Sequence, residues 1–237
     1  MPVSFSAGIV ELRNVNIDHP RLGLPLYLPR RGGPPSDRYA TAHWRTAYSI
    51  DSTCPSEPRN LQLTSPGNFP LLPLRTRTRG PAYVLPALPP SESDIDVDPN
   101  SESYDCIDEI LSLFRANVLF RNFEIKGPAD RMLIYGILFL SECLGKIKAG
   151  TSARDAEKAL INTALEQFAI PGDVSFPLNH AFERPRDRQD AEQLRQYLSQ
   201  VRQELAIRLH TRLYPGGEGP SKFWLSFAKR KFMGKSL

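Results

Sequence analysis

The chain of 237 residues is 41% hydrophobic and 24% charged, with a formal net charge of +4, which suits a soluble protein of one or two domains long enough to bury a substantial core. Its three cysteines, Cys54, Cys106 and Cys143, are odd in number, far apart and without a CxxC pair, which argues against a disulfide framework and a zinc site and favours a reducing compartment. No basic start with an apolar run marks a signal peptide, so a cytoplasmic location is expected.

Prolines concentrate in the first 100 residues, so the front is expected to be extended or irregular and the back helical. Residues 1–66 show neither a helical nor an alternating period, and "PRRGGPPSDR" (Pro29 to Arg38) reads as flexible linker, so no folded domain is expected there. Residues 67–100 read as an extended arm followed by an acidic linker. In the arm, "GNFPLLPLRTRTRGPA" (67–82), Pro70 and Pro73 interrupt any helix. Alternate side chains of an extended chain share a face, so Arg75, Arg77 and Arg79 are expected to project together, either as a solvated basic strand or against an acidic partner. From Ser91 to Glu109 the chain carries acids and no base, whereas Gly219 to Leu237 carries bases and no acid. Such asymmetry marks surfaces that meet charged partners.

Residues 101–237 read as an all-α domain of about five helices. The first spans about Tyr104 to Arg121, with Ile107, Ile110, Leu111, Phe114 and Val118 as its apolar stripe and Asp105, Asp108 and Glu109 at its positive end. The second opens at Pro128 and runs to about Ala149. A third starts at the capping pattern Ser152…Asp155 and stops before "IPG" (Ile170 to Gly172). The fourth begins near Asp187, places Leu194, Leu198, Val201, Leu205, Leu209 and Leu213 at three- and four-residue steps, and ends at "PGG" (Pro215 to Gly217). It is expected to be about 40 Å long. A last helix is expected over about Ser221 to Met233.

Between Met132 and Leu144 nearly every side chain is apolar. Such a run rises only about 20 Å, against roughly 30 Å of bilayer hydrocarbon, and Glu142 lies within any lengthened span. A helix apolar on all sides is instead enclosed by its neighbours. Gly136 in its middle implies that another backbone passes close by.

Catalytic signatures are thin. His19, His43, His180 and His210 are scattered, and no HExxH, paired metal spacing or G-x-S-x-G occurs. "GGEGPSK" (Gly216 to Lys222) does not fit the phosphate-loop pattern and follows a helix, so it reads as a helix stop and restart. His210 reads as a surface residue compatible with the helix dipole, Cys106 and Cys143 as core residues, and Glu142 as a carboxylate reaching solvent. No cofactor or metal is expected. "SKFWLSFAKRKFMGKSL" (Ser221 to Leu237), wound as a helix, sets Lys222, Ser226, Lys229 and Arg230 opposite Phe223, Trp224, Leu225, Phe227, Ala228 and Phe232. It could cap its own core, dock on a protein, or contact nucleic acid or a membrane surface. Aromatics facing away from the charge are poorly placed to stack on bases.

The arm 67–82, together with "FRANVLFRNFEIKGPADRMLIYGILFLSECL" (114–144), "IPGDVSFPLN" (170–179), "LRQYLSQVRQELAIRL" (194–209) and "PSKFWLSFAKRKFMGKSL" (220–237), resembles the family of subunit 3, the 21-kilodalton-class subunit, of the actin-related protein 2/3 complex. The likeness runs from about Gly67 to Leu237 in order. It implies an all-α, non-catalytic subunit of a machine that nucleates actin filaments as branches on existing ones. It also implies packing on the larger actin-related subunit, Arp3, and a place near the mother filament. ATP belongs to the actin-related subunits, so no cofactor is implied here. The partners implied are the actin-related proteins, the other subunits and the actin filament, with neither nucleic acid nor membrane insertion. On this reading a rigid body holds Arg75, Arg77, Arg79, Lys222, Trp224, Lys229, Arg230 and Lys231 against acidic surfaces. "MPVSFS" resembles the family's beginning, but the stretch that follows, to Pro66, has no counterpart. It reads as a lineage-specific insertion or a mis-predicted coding segment. The rival readings are a basic helical nucleic-acid-binding protein, suggested by a pI near 9.0, and a small-molecule enzyme or carrier built around the apolar helix.

Overall fold

The computed structural model describes residues 65–90, 93–123, 125, 127–217 and 219–237. The chain divides into two units, Met1–Ala40 and Thr41–Leu237, and every described residue belongs to the second. The readings made on residues 1–64, including Cys54, His19 and His43, lie outside the described residues.

Among the described residues four helices build the body: α1 (Cys106–Asn117), α2 (Pro128–Lys146), α3 (Ala153–Leu165) and α4 (Arg188–Leu213). Each begins where local chemistry satisfies its first N–H groups. Asp105 caps α1, accepting from the N–H groups of Ile107 and Asp108 at 3.1 and 3.0 Å. Pro128 opens α2, and the Gly127 N–H donates to the Asp130 carboxylate at 3.0 Å. Ser152 Oγ accepts from the Asp155 N–H at 3.1 Å to start α3, and Asp187 accepts from the Asp190 N–H at 2.8 Å to start α4. The expected all-α class and the element order hold. Helix α1 is shorter than expected at both ends, and α2 stops at Lys146.

Helix α2 is the centre. It touches α1, α3, α4 and the turn near the C-terminus, and Met132, Ile134, Ile137, Phe139, Leu140, Cys143 and Leu144 are wholly removed from solvent. Each such aliphatic or aromatic side chain contributes about 1.5–3 kcal/mol. The close approach at Gly136 comes from a different source than expected. A Cβ placed there would lie 2.6 Å from Cδ1 and 2.7 Å from Cγ2 of Ile110, so a side chain of α1, and not a backbone, makes the nearest approach. Helix α4, at 26 residues, is about 39 Å long and buries all six stripe residues named above.

The arm is not a free strand. Phe69, Leu71, Leu72 and Leu74 join the core, and α4 holds the backbone. The Leu72 N–H donates to the Tyr197 hydroxyl at 2.8 Å while that hydroxyl donates back to the Leu72 carbonyl at 3.0 Å. Gln200 accepts from the Ala82 N–H at 3.0 Å and donates to the Thr78 carbonyl at 2.7 Å. A parallel β-bridge, Leu74 to Val84, closes part of the arm into a loop.

The C-terminal segment departs most from expectation. Helix α5 is one turn, Lys222–Leu225, and the chain then runs in i→i+3 turns to a 3-10 turn at Phe232–Gly234. Ser226 Oγ donates to the Phe223 carbonyl at 2.7 Å, a local bond that competes with helical pairing. Further on, Met233 adopts a left-handed φ of 53° while its N–H donates to the Phe120 carbonyl at 2.9 Å. Tertiary anchoring overrides the helical wheel here.

Candidate partner-binding surface

Beneath the arm lies a buried cluster of charge. Arg208 of α4 grips Asp105 with two bonds, Nη1 to Oδ1 at 2.6 Å and Nη2 to Oδ2 at 2.8 Å, and reaches Asp108 at 2.9 Å. It also donates to the Arg75 carbonyl at 2.6 Å. Arg75 in turn donates from its backbone to Asp105 at 2.8 Å and from its guanidinium to Asp108 at 3.1 Å, to Asp94 and to the Ser103 carbonyl. Arg212 closes the cluster by donating to the Ile95 carbonyl at 3.2 Å. Burial opposes the charge on Asp105, yet the Arg208 charge and its hydrogen bonds win and hold that carboxyl below its ordinary range. Burial and the neighbouring Asp105 charge push Asp108 the other way.

This cluster corrects the expectation for the arm. Arg75 does not project with Arg77 and Arg79; its side chain is 12% exposed and engaged inside the molecule. Arg77 and Arg79, beyond the anchor, are exposed. Lys222, Lys229, Arg230 and Lys231 are exposed as well, distributed along a turned segment and not on one helix face. Trp224 is buried, its ring stacked on Phe114 at 5.8 Å, so it fixes the segment to α1. Phe227 packs edge-on to the same ring at 6.2 Å, and Phe232 meets Phe123 at 5.9 Å. Phe223 is half exposed, and the Arg115 guanidinium lies 3.5 Å above its face. The surface therefore consists of cations carried outward by segments that Leu74, Trp224 and Phe232 hold to the core.

Arg202, which sequence reasoning passed over, completes the framework, and Glu142 and His210 are less open to solvent than expected. The Arg202 guanidinium is buried between the rings of Phe139 (4.4 Å) and Phe168 (4.5 Å) and donates to the Thr163 and Ala164 carbonyls at the end of α3. A cation there complements the helix C-terminus. Glu142 lies near Arg202, half-buried, and desolvation raises its pKa. His210 is partly buried, its Nε2 2.9 Å from the Ala153 carbonyl and its ring stacked on Tyr214. Burial pushes the thiols of Cys106 and Cys143 up, away from reactivity. Among the described residues no group of His, Cys, Asp and Glu side chains is placed to hold a metal ion, and no helix is long and apolar enough to cross a membrane.

Comparison with known proteins follows the same residues. The family model described as P21-Arc, the ARP2/3 complex ARPC3 (21 kDa) subunit, matches residues 50–237. The match begins 17 positions before Gly67, so part of the stretch that reads as foreign falls within the family's span. The chain is similar to actin-related protein 2/3 complex subunit 3 of Saccharomyces cerevisiae, at 50% identity over 190 residues that cover 78% of this chain and 97% of the relative. It is similar to the subunit 3 proteins of Schizosaccharomyces pombe, at 53% identity over 72% of this chain and 90% of the relative, and of Dictyostelium discoideum, at 46% identity over the same shares.

Proposed function

Because this chain belongs to the P21-Arc family, the ARPC3 (21 kDa) subunits of the ARP2/3 complex, we propose that it supports nucleation of branched actin filaments by packing on the Arp3 subunit and lying near the mother filament in the cytoplasmic actin cytoskeleton. Its part is structural. The observation that carries this reading is the outward display of Arg77, Arg79, Lys222, Lys229, Arg230 and Lys231 on segments pinned from within by Arg75, Trp224 and Phe232. With the backbone that carries these cations already held, only their side chains are ordered on meeting an acidic surface, which favours positional rather than chemical work. Arg75 and Trp224 act in this reading as anchors, with the six exposed cations as the contact set.

The test reverses charge at three exposed positions together, Lys229→Glu, Arg230→Glu and Lys231→Glu, none of which supports the core. Helix content is expected to stay unchanged while co-purification with the actin-related subunits or the rate of branch formation falls. Normal assembly and normal branching by the triple variant would overturn the assignment of these residues.

A further inference from the structure

One exposed stretch plays no part in that surface or in the core. "LPALPP" (Leu85 to Pro90) links the arm to the acidic segment. Pro86, Pro89 and Pro90 have φ fixed near −65°, and Leu85 and Leu88 each precede a proline, which excludes the α region. Only Ala87 escapes both restrictions. From Leu85 to Pro89 the chain has no regular secondary structure, and Pro90 enters a turn. Its burial repeats every third residue: Leu85 and Leu88 are half-buried, Pro86 and Pro89 are exposed, and Ala87 and Pro90 are exposed. A period of three is that of the polyproline II helix, which makes no internal hydrogen bonds. Two external bonds hold the stretch to the body, the Leu85 N–H to the Leu74 carbonyl at 2.9 Å and Ser103 Oγ to the Ala87 carbonyl at 3.2 Å. The leucine ridge faces inward and two ridges, one of them Pro86 with Pro89, face solvent.

We propose that Leu85–Pro89 is a preformed polyproline II ligand for the aromatic-lined, proline-reading groove of another protein, a groove with basic side chains at one end. Proline-rich ligands bind such grooves because the helix is already formed and little entropy is lost on docking. The neighbours specify the fit. Tyr83 and Val84, 60% and 54% exposed, extend the apolar contact upstream. Exposed Asp96 and Asp98 follow the stretch, and Asp94 before them is already paired with Arg75. Polyproline helices look alike in both directions, so these unlike ends set the docking direction, with the acids against the groove's basic rim.

The experiment titrates the unlabelled full chain into isotope-labelled SH3, WW and EVH1 domains chosen for basic residues beside their grooves, read by chemical shift. Shift changes confined to the aromatic groove of at least one domain are expected. They should weaken as salt is added. The variant Pro86→Ala with Pro89→Ala is expected to weaken binding by about tenfold or more, with only a small drop in melting temperature from the lost proline stiffness, because both rings face solvent and neither nitrogen donates a hydrogen bond. Should that variant melt early, Ala87→Asp on the other exposed ridge replaces it. Absence of groove-confined shifts in all three domains, or binding indifferent to these substitutions, overturns the proposal. Neither result bears on assembly with the actin-related subunits, which co-purification reads separately.

Discussion

Arg208 and Asp105, 103 positions apart in the chain, meet in a two-pronged ion pair at 2.6 and 2.8 Å with both side chains nearly excluded from water. The pair ties α4 to the first turn of α1, and through the Arg75 carbonyl and backbone N–H it ties both to the arm. Two desolvated charges repay their dehydration only while both are present. Arg208→Ala is therefore expected to lower stability by about 3–5 kcal/mol, because it strands the buried Asp105, and Asp105→Ala by less, because Asp108 remains 2.9 Å from Arg208. A double variant, Asp105→Asn with Arg208→Met, should lose less than the sum of its single changes in urea unfolding. Additive losses would mean that the two residues are not coupled.

The same cluster sets a response to pH. Asp105 has a folded pKa below its ordinary 3.8, so its stabilisation is present above that value and is lost as pH falls through the lower folded value. Asp108 and Glu142 have folded values raised by burial, so each makes stability fall as pH rises from its ordinary value through the raised one. Stability measured from neutrality downward should hold or rise slightly into mild acid and then drop steeply below about pH 3.8. Asp108→Asn should remove part of the gain in mild acid, and Asp105→Asn the final drop. A profile that declines steadily from neutrality would contradict the assignment.

Much of this was readable in advance because it is local or periodic. Ser152 with Asp155, and Asp187 at the head of α4, are caps written within four residues. The leucine stripe of α4 repeats at helical steps, and the apolar run of α2 has no polar face to offer water. The ion cluster was hidden because a single sequence shows which acids sit at a helix start but not which arginine arrives from 103 positions away. One signal was available: Arg208 stands three residues after Leu205 and seven after Val201, inside the buried stripe, where a charge needs a partner. The even spacing of Arg75, Arg77 and Arg79 suggested one shared face, yet pairing with Asp94 and Asp108 turns the first inward. At the C-terminus the wheel identified the apolar residues but not their path. Trp224 and Phe232 seek different aromatic partners along the body, and a straight helix does not follow that route.

Gly136 and Ile110 give a steric test of how tightly α2 is held. Ile110 is fully buried and branched at Cβ, so its side chain has few ways to withdraw from a new methyl group. Gly136→Ala gains about 1 kcal/mol of helix propensity but meets overpacking that costs about 1–3 kcal/mol. Gly136→Leu adds bulk with no such offset and is expected to lower the melting temperature much further. Shortening the neighbour with Ile110→Val in the Gly136→Ala background should recover part of the loss, even though the same change alone removes a buried methyl group. If Ile110→Val were equally harmful in both backgrounds, the two residues would not be competing for the same space.

Trp224 links the fold to the display of cations. Its indole stacks on Phe114, and Phe227 approaches that same ring from the edge, so one side chain of α1 receives two aromatic rings of the segment. Trp224→Ala should cost about 3–5 kcal/mol if the rest of the segment stays in place around the cavity. It should cost less if the segment detaches, because the apolar surface is then merely returned to water. Detachment would expose Lys229, Arg230 and Lys231 to trypsin in the native state. The expected outcome is therefore a modest loss of stability with much faster tryptic cleavage at these residues. Trp224→Phe, which keeps a ring against Phe114, should restore resistance. Slow cleavage in the alanine variant would assign the anchoring to Phe232 and to the Met233 N–H bonded to the Phe120 carbonyl.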